Sequence, residues 1–373
     1  MKSGKYSQAA GRWEGIGPYY AMFPISFAKK VIRKYSVEGD IIFDPFVGRG
    51  TSIFAAAIDN RSGIGIEINP VGWVYTKAKL FPVPLEKLEE RLDQVYKNSY
   101  FFRREVDSLP DFFRYCYSRP VLNFLLAART MLKWRSNNVD AVLMALILVN
   151  LHGKRGNALS NQMMQTKSMS PQYSIEWWKR KKMTPPAIDP YEFLLKKIQW
   201  RYKKGFPNVN KSFVYLGDSI KILPKIKESI KKKEIKKPKL LFTSPPYLGV
   251  TNYHYDQWLR LWMLGQSSIP TVLKDRYKKR FNNVDEYKEL LRNVFNTSSD
   301  ILDRNAVVYI RTDRRRETYN ITKTALKNAF PKKKMTEKTR LFYHPTQTQL
   351  FNRKIKNSKN KIYGGEIDFI LTP

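Results

Sequence analysis

The nine residues Asp44-Pro45-Phe46-Val47-Gly48-Arg49-Gly50-Thr51-Ser52, which follow the apolar run Ile41-Ile42-Phe43 and run into a helical pattern over Thr51 to Ile58, leave few choices of fold. A strand entering a helix through a glycine turn, with a second apolar run from Gly63 to Ile68, forms a βαβ unit. Glycines at such a turn let backbone N–H groups approach a ligand closely at the helix N-terminus. Glu67, at the end of the second strand, is spaced to accept hydrogen bonds from two vicinal ribose hydroxyls. The pair points to a nucleoside-type cofactor. The glycine spacing is shorter than G-x-G-x-x-G and lacks the Gly-Lys-Ser/Thr of a phosphate loop, which argues against NAD and ATP. The plainer reading is a tight turn with a surface glutamate.

A second constellation, Thr243-Ser244-Pro245-Pro246-Tyr247, directly follows the apolar run Leu240-Leu241-Phe242. It therefore sits at the carboxyl edge of a strand, where open α/β sheets bind ligands. Its two prolines lack N–H donors, which makes the loop rich in acceptors. An exocyclic amino group on a base is a weak nucleophile because its lone pair is delocalised into the ring. The Ser244 side chain and the Pro245 carbonyl can hold its two hydrogens and favour a pyramidal nitrogen, and Tyr247 can stack on the base. Gly217-Asp218-Ser219, after the run Phe213 to Leu216, offers a carboxylate for an adenine amino group. Alone it reads as a turn, as the proline pair alone reads as a packed corner.

Taken together these residues resemble the amino-methylating DNA methyltransferases, which modify N4 of cytosine or N6 of adenine. Phe23-Pro24 and the helix after it are similar to the motif preceding the cofactor turn, and Asp44 to Ser52 to the turn itself. The resemblance implies S-adenosylmethionine as cofactor, held by Phe23, Pro24, Asp44, Phe46, Gly48, Gly50, Thr51, Glu67 and Asp218. It implies Ser244, Pro245, Pro246 and Tyr247 as catalytic residues. It also implies an α/β fold, the doubly wound, Rossmann-like seven-stranded methyltransferase sheet. Serine at 244, where most adenine-N6 members carry Asp or Asn, favours cytosine-N4; adenine-N6 is the nearest alternative. Arg49 departs from the small residue usual between the glycines, and the order of the two halves does not match one family group cleanly.

The remaining composition bears on the partner and the layout. Sixty-eight Lys plus Arg against thirty-two Asp plus Glu give a formal +36, which calls for a polyanion, while 42% hydrophobic residues are enough for a packed core. Double-stranded DNA is the expected partner, with a cognate restriction endonuclease as a further one and no membrane contact. The oligomeric state is left open. The lone Cys116 fits a reducing cytoplasm, excludes an internal disulfide framework and lacks the preceding proline of cytosine-C5 methylases. His152, His254 and His344 lie far apart, and no metal is expected. Residues 1–90 read as the cofactor half, 91–205 as a helical insertion and 206–373 as the catalytic half, closed by a hairpin of Arg340 to Tyr343 with Glu366 to Leu371. Within the insertion, Leu159 to Gln162, Gln172 to Ser174 and Trp177 to Arg180 are the candidates for reading DNA, with the basic connection Gln347 to Lys361 as rival. Asn252 and Tyr253 are candidates for the base pocket. A silent DNA-binding module and an RNA or protein-glutamine methylase are the more distant functional readings.

Overall fold

The computed structural model describes residues 6–18, 23–249, 253–270, 283–341 and 365–373. Two compact units emerge: Tyr20–Asn69, Asn208–Thr251 and Asp275–Pro373 form one, and Met1–Tyr19, Pro70–Pro207 and Asn252–Lys274 the other.

The first unit is built on a seven-stranded sheet: β1 (Ile41–Asp44), β2 (Ser62–Glu67), β3 (Phe213–Leu216), β4 (Leu240–Thr243), β5 (Val307–Asp313), β6 (Lys334–Leu341) and β7 (Gly365–Thr372). Their spatial order is β3-β2-β1-β4-β5-β7-β6. The five from β3 to β5 are parallel, and β7 runs antiparallel to both β5 and β6. This is a doubly wound, Rossmann-like seven-stranded sheet. Strand residues alternate between its faces as the pleat requires. Phe43, Leu241, Val308, Ile310, Phe369 and Leu371 share one core with Leu223, Leu291, Phe295 and Leu326. Ile42, Leu240, Phe242, Tyr309 and Ile370 share the other with Ala28, Ile32, Ala55 and Ala56. Parallel strands buried on both faces account for the unbroken apolar runs of the sequence.

The helix Ile25–Tyr35 falls where the sequence puts it. The expected closing pair forms between Lys334–Leu341 and Gly365–Thr372, its first strand starting six residues before Arg340, while Phe342 and Tyr343 lie outside the described residues. The first strand's KMTEKTRL sequence is mostly exposed, and such a charged edge strand has little hydrophobic signature to read. Two glycines of β2 settle how close the helix Thr51–Ala57 lies. A Cβ on Gly63 would meet Ile53 Cβ at 2.5 Å, and one on Gly65 would meet Ile53 Cδ1 at 2.8 Å and Val47 Cγ2 at 2.9 Å.

The second unit is helical. The helix Asn138–Asn150, apolar on every side, is buried from Asp140 to Asn150, as expected of a helix ringed by others. Arg91 Nε donates to Asp140 at 2.7 Å, and the Tyr202 hydroxyl donates to the Val83 carbonyl at 2.8 Å. The polar break His152 to Pro171 is an irregular segment with two isolated bridges. No helix among the described residues is long and apolar enough to cross a membrane.

Candidate active site

In a doubly wound sheet the loops at the carboxyl ends part where the strand order reverses, and that crevice is where ligands bind. Here the chain runs outward from β1 to β2 and β3, then returns to β4 on the other side of β1. The switch point is thus between β1 and β4. Asp44 to Ser52 leaves the tip of β1 and Thr243 to Tyr247 leaves the tip of β4, so the paired strands bring the two sequence motifs together.

Asp44 joins them. Its buried carboxylate accepts from the Ser52 and Thr243 hydroxyls and from the Phe46 N–H at 3.0 Å. Burial pushes its carboxyl up to about 6, against these hydrogen bonds, which pull the other way. Gly48 and Gly50 have φ of 54° and 83°, the left-handed region that glycine enters without strain. A Cβ on Gly48 would meet nothing within 4 Å, so its Cα borders open space. Thr51 opens the helix and is buried, Phe46 is half-buried and Arg49 is buried.

Glu67, at the tip of β2, accepts from Gly48 N–H at 2.7 Å and from Asn69 N–H at 2.8 Å, with Ile68 N–H a further donor. Burial pushes the Glu67 carboxyl up to about 8, and the nearby Asp44 adds a smaller repulsion. An acid whose pKa is raised by folding stabilises the fold fully below its unfolded pKa of 4.5, and that stabilisation fades as pH rises towards 8. The contribution of Glu67 to the thermal midpoint of the ligand-free protein is therefore expected to fall between about pH 5 and 8. Glu67→Gln should flatten that part of the profile in calorimetric scans, and an unchanged profile would remove Glu67 as its source.

Asp218, at the tip of β3, caps the helix Ser219–Lys231 by accepting from Ile220 N–H at 3.1 Å. Ser219 donates to the Pro45 carbonyl at 2.5 Å and Gly217 N–H to the Glu67 carbonyl oxygen at 2.9 Å, tying the third tip to the other two. Phe23 stacks on Phe242, with ring centroids 5.0 Å apart, and the exposed Pro24 caps the helix Ile25–Tyr35.

The loop after β4 is braced by residues the sequence gives no means of assigning. The Tyr287 hydroxyl donates to the Pro246 carbonyl at 2.9 Å. Arg315, held by Asp313 through Nε at 3.0 Å and Nη2 at 2.8 Å, donates to the Leu248 carbonyl at 2.5 Å. Tyr247, expected to face a base, is packed instead: its ring is 5% exposed and its hydroxyl bonds the Glu366 carboxylate. Ser244 is half-buried and Pro245 buried. Tyr287 and Arg315 lie far along the chain in a helix and at a helix start, and only the fold brings them to the loop.

Cys116 is fully buried in the helical unit, and burial pushes its thiol well above the ordinary range, away from thiolate chemistry. His152 is buried in the same unit. Among the described residues no group of three or more His, Cys, Asp or Glu side chains is placed to hold a metal. Asn252, His344 and Gln347 to Lys361 lie outside the described residues, as do the side chains of Tyr253 and His254.

A family model described as DNA methylase, of the N6/N4 amino-methylating kind, matches residues 2–72. Over 49 residues the chain is 51% identical to an orphan methyltransferase, M.BamHII, of Bacillus amyloliquefaciens, covering 13% of this chain and 18% of that protein. It is 48% identical over 52 residues to the type II methyltransferase M.HpaI of Haemophilus parainfluenzae (14% and 17%). To M.MjaII of Methanocaldococcus jannaschii, also a type II methyltransferase, it is 31% identical over 104 residues (26% and 20%). The matches thus span about a fifth of the length of these relatives.

Proposed function

From the kinship of residues 2–72 with the amino-methylating DNA methylases, we propose that this chain is an S-adenosylmethionine-dependent DNA methyltransferase acting on the exocyclic N4 of a cytosine drawn out of the duplex. The observation that carries this reading is the union, through the buried Asp44 carboxylate, of a glycine turn and an acceptor-rich loop at the β1/β4 switch point.

The residues at the strand tips fit the cofactor. Gly48 borders open space at the start of a helix. An ionised carboxylate has about four acceptor sites and a protonated carboxyl adds an O–H donor, so in either state Glu67 keeps room for a ligand hydroxyl beside its three amide donors. Asp218 offers a carboxylate to the adenine amino group, with Phe23, Pro24, Phe46, Gly50 and Thr51 completing the cradle. When bound, S-adenosylmethionine supplies an electrophilic methyl on a sulfonium.

The chain's own contribution is to prepare and hold the amine. Ser244 Oγ and the Pro245 carbonyl accept its two hydrogens and so localise the nitrogen lone pair for attack. Tyr287 and Arg315 fix the carbonyls on either side of Tyr247, which keeps these acceptors from drifting. In-line transfer needs positioning and electrostatics more than a strong base. A paired, stacked amino group cannot present its lone pair, so the base must leave the helix. Serine at 244 selects cytosine over adenine within the family resemblance.

Incubating plasmid DNA with the protein and S-adenosylmethionine, then digesting to nucleosides for mass spectrometry, tests the reading. N4-methyl-2′-deoxycytidine is the expected product. N6-methyl-2′-deoxyadenosine would move the assignment to adenine, and methylation of RNA but not DNA would overturn the substrate.

A further inference from the structure

The helical unit holds a cavity of about 640 Å³, within the range of roughly 300–1,000 Å³ typical of ligand pockets. Its walls include Tyr173, Trp177, Tyr255, Met164, Lys167 and Asp256. One wall is the irregular stretch from Met164 to Met169, whose main chain is gripped almost residue by residue. The Met164 carbonyl accepts from His152 Nδ1 at 2.7 Å, Gln165 from Arg260 Nη2 at 2.6 Å, Thr166 from Gln257 Nε2 at 3.1 Å and Met169 from Trp258 Nε1 at 3.1 Å. Ser168 N–H donates to the Asp256 carbonyl oxygen at 2.8 Å. Arg260 and His152 are both fully buried.

Enclosing a guanidinium to hold a surface loop is costly. A segment with no duty but to connect two helices does not require it. A segment that must present side chains in fixed positions does, and here Met164 stands 52% exposed on that rigid frame, with Tyr173, 55% exposed, in the helix that follows it.

We propose that this pocket receives one unstacked nucleobase of the DNA, and that guanine is the base it fits. Tyr173, Trp177 and Tyr255 supply ring faces on which a planar heterocycle stacks. Lys167 Nζ lies 3.9 Å from Asp256 Oδ1. The order of an ammonium donor and two carboxylate acceptors matches the Watson–Crick edge of guanine: the acceptor O6, then the donors N1–H and N2–H. The basic run Lys179 to Lys182, wholly exposed at the end of the helix that carries Tyr173 and Trp177, suits the phosphates of the same strand. The inference rests on the DNA-modifying reading above, in which extracting a cytosine leaves a guanine with this edge unpaired.

The test is fluorescence anisotropy with the full chain and labelled oligothymidine strands carrying a single central guanine, adenine, cytosine or no substitution. The guanine strand is expected to bind about tenfold more tightly than the unsubstituted one, and Tyr173→Ala to remove about tenfold of that affinity, as for one lost stacking platform. Asp256→Asn should abolish the guanine preference, read as the ratio of the affinities of the same protein for the guanine and unsubstituted strands, whatever the loss of one negative charge does to both. Tyr173 is exposed, so its alanine variant keeps the fold. Equal affinity for all strands, a preference for adenine or cytosine, or a guanine preference that survives both substitutions overturns the proposal. Calorimetry of S-adenosylmethionine on the same proteins keeps the two readings apart: no cofactor binding would sink the methyltransferase and leave the guanine preference standing.

Discussion

Alanine at position 244 is expected to slow methyl transfer by about a hundredfold, the loss typical of removing one hydrogen bond that stabilises charge developing in the transition state. Binding of cofactor and DNA should persist, because the role proposed for the Ser244 hydroxyl is confined to the reacting amine and the loop around it is held by other groups. Pro246 and Leu248 keep their bonds to Tyr287 and Arg315 in the variant, so the main chain has no reason to collapse. Single-turnover measurement of product nucleoside separates the two effects. A rate equal to that of the unaltered protein would take Ser244 out of the chemistry.

Asp44→Ala is expected to be the most damaging single change to the fold around the site. Three donors, the Ser52 and Thr243 hydroxyls and the Phe46 N–H, would lose their buried acceptor at once. Each such orphan costs about 1–3 kcal/mol, and because they share one site the sum is less than additive, about 3–5 kcal/mol in all. That is a large share of the 5–15 kcal/mol typical of a whole domain. Asp44→Asn, with one carbonyl oxygen kept, should lose about half as much. Denaturant titration of the three proteins gives the order directly. Equal stability of all three would mean that the carboxylate does not join the loops.

How much of this was legible beforehand follows the range of the interactions. The glycine turn, Glu67 and the TSPPY loop are local in sequence and carried by apolar runs buried on both faces, and the structure places them at adjacent strand tips. Asp44 was readable as part of the turn, but its bond to Thr243 spans 199 positions and depends on β1 and β4 being neighbours. Tyr287 and Arg315 are invisible for the same reason: neither sits in a motif, and each acts through a carbonyl that every residue possesses. Tyr247 is legible from its motif, but its hydrogen bond to Glu366, on a strand more than a hundred positions later, is not. In the helical unit, Trp178 proved to be core at 0% exposure, while its neighbour Trp177 lines a cavity. Periodicity tells a buried stripe from an exposed one, and two adjacent tryptophans fall on either side of that divide.

The two glycines of β2 set a depth gauge made of missing atoms. Because Ile53 and Val47 already touch the strand where side chains would stand, the turn between them is seated as low as backbone permits. Drift in this part of the gene can then go in one direction only. Any replacement at Gly63 or Gly65 lifts the turn and widens the crevice, and no replacement there can narrow it.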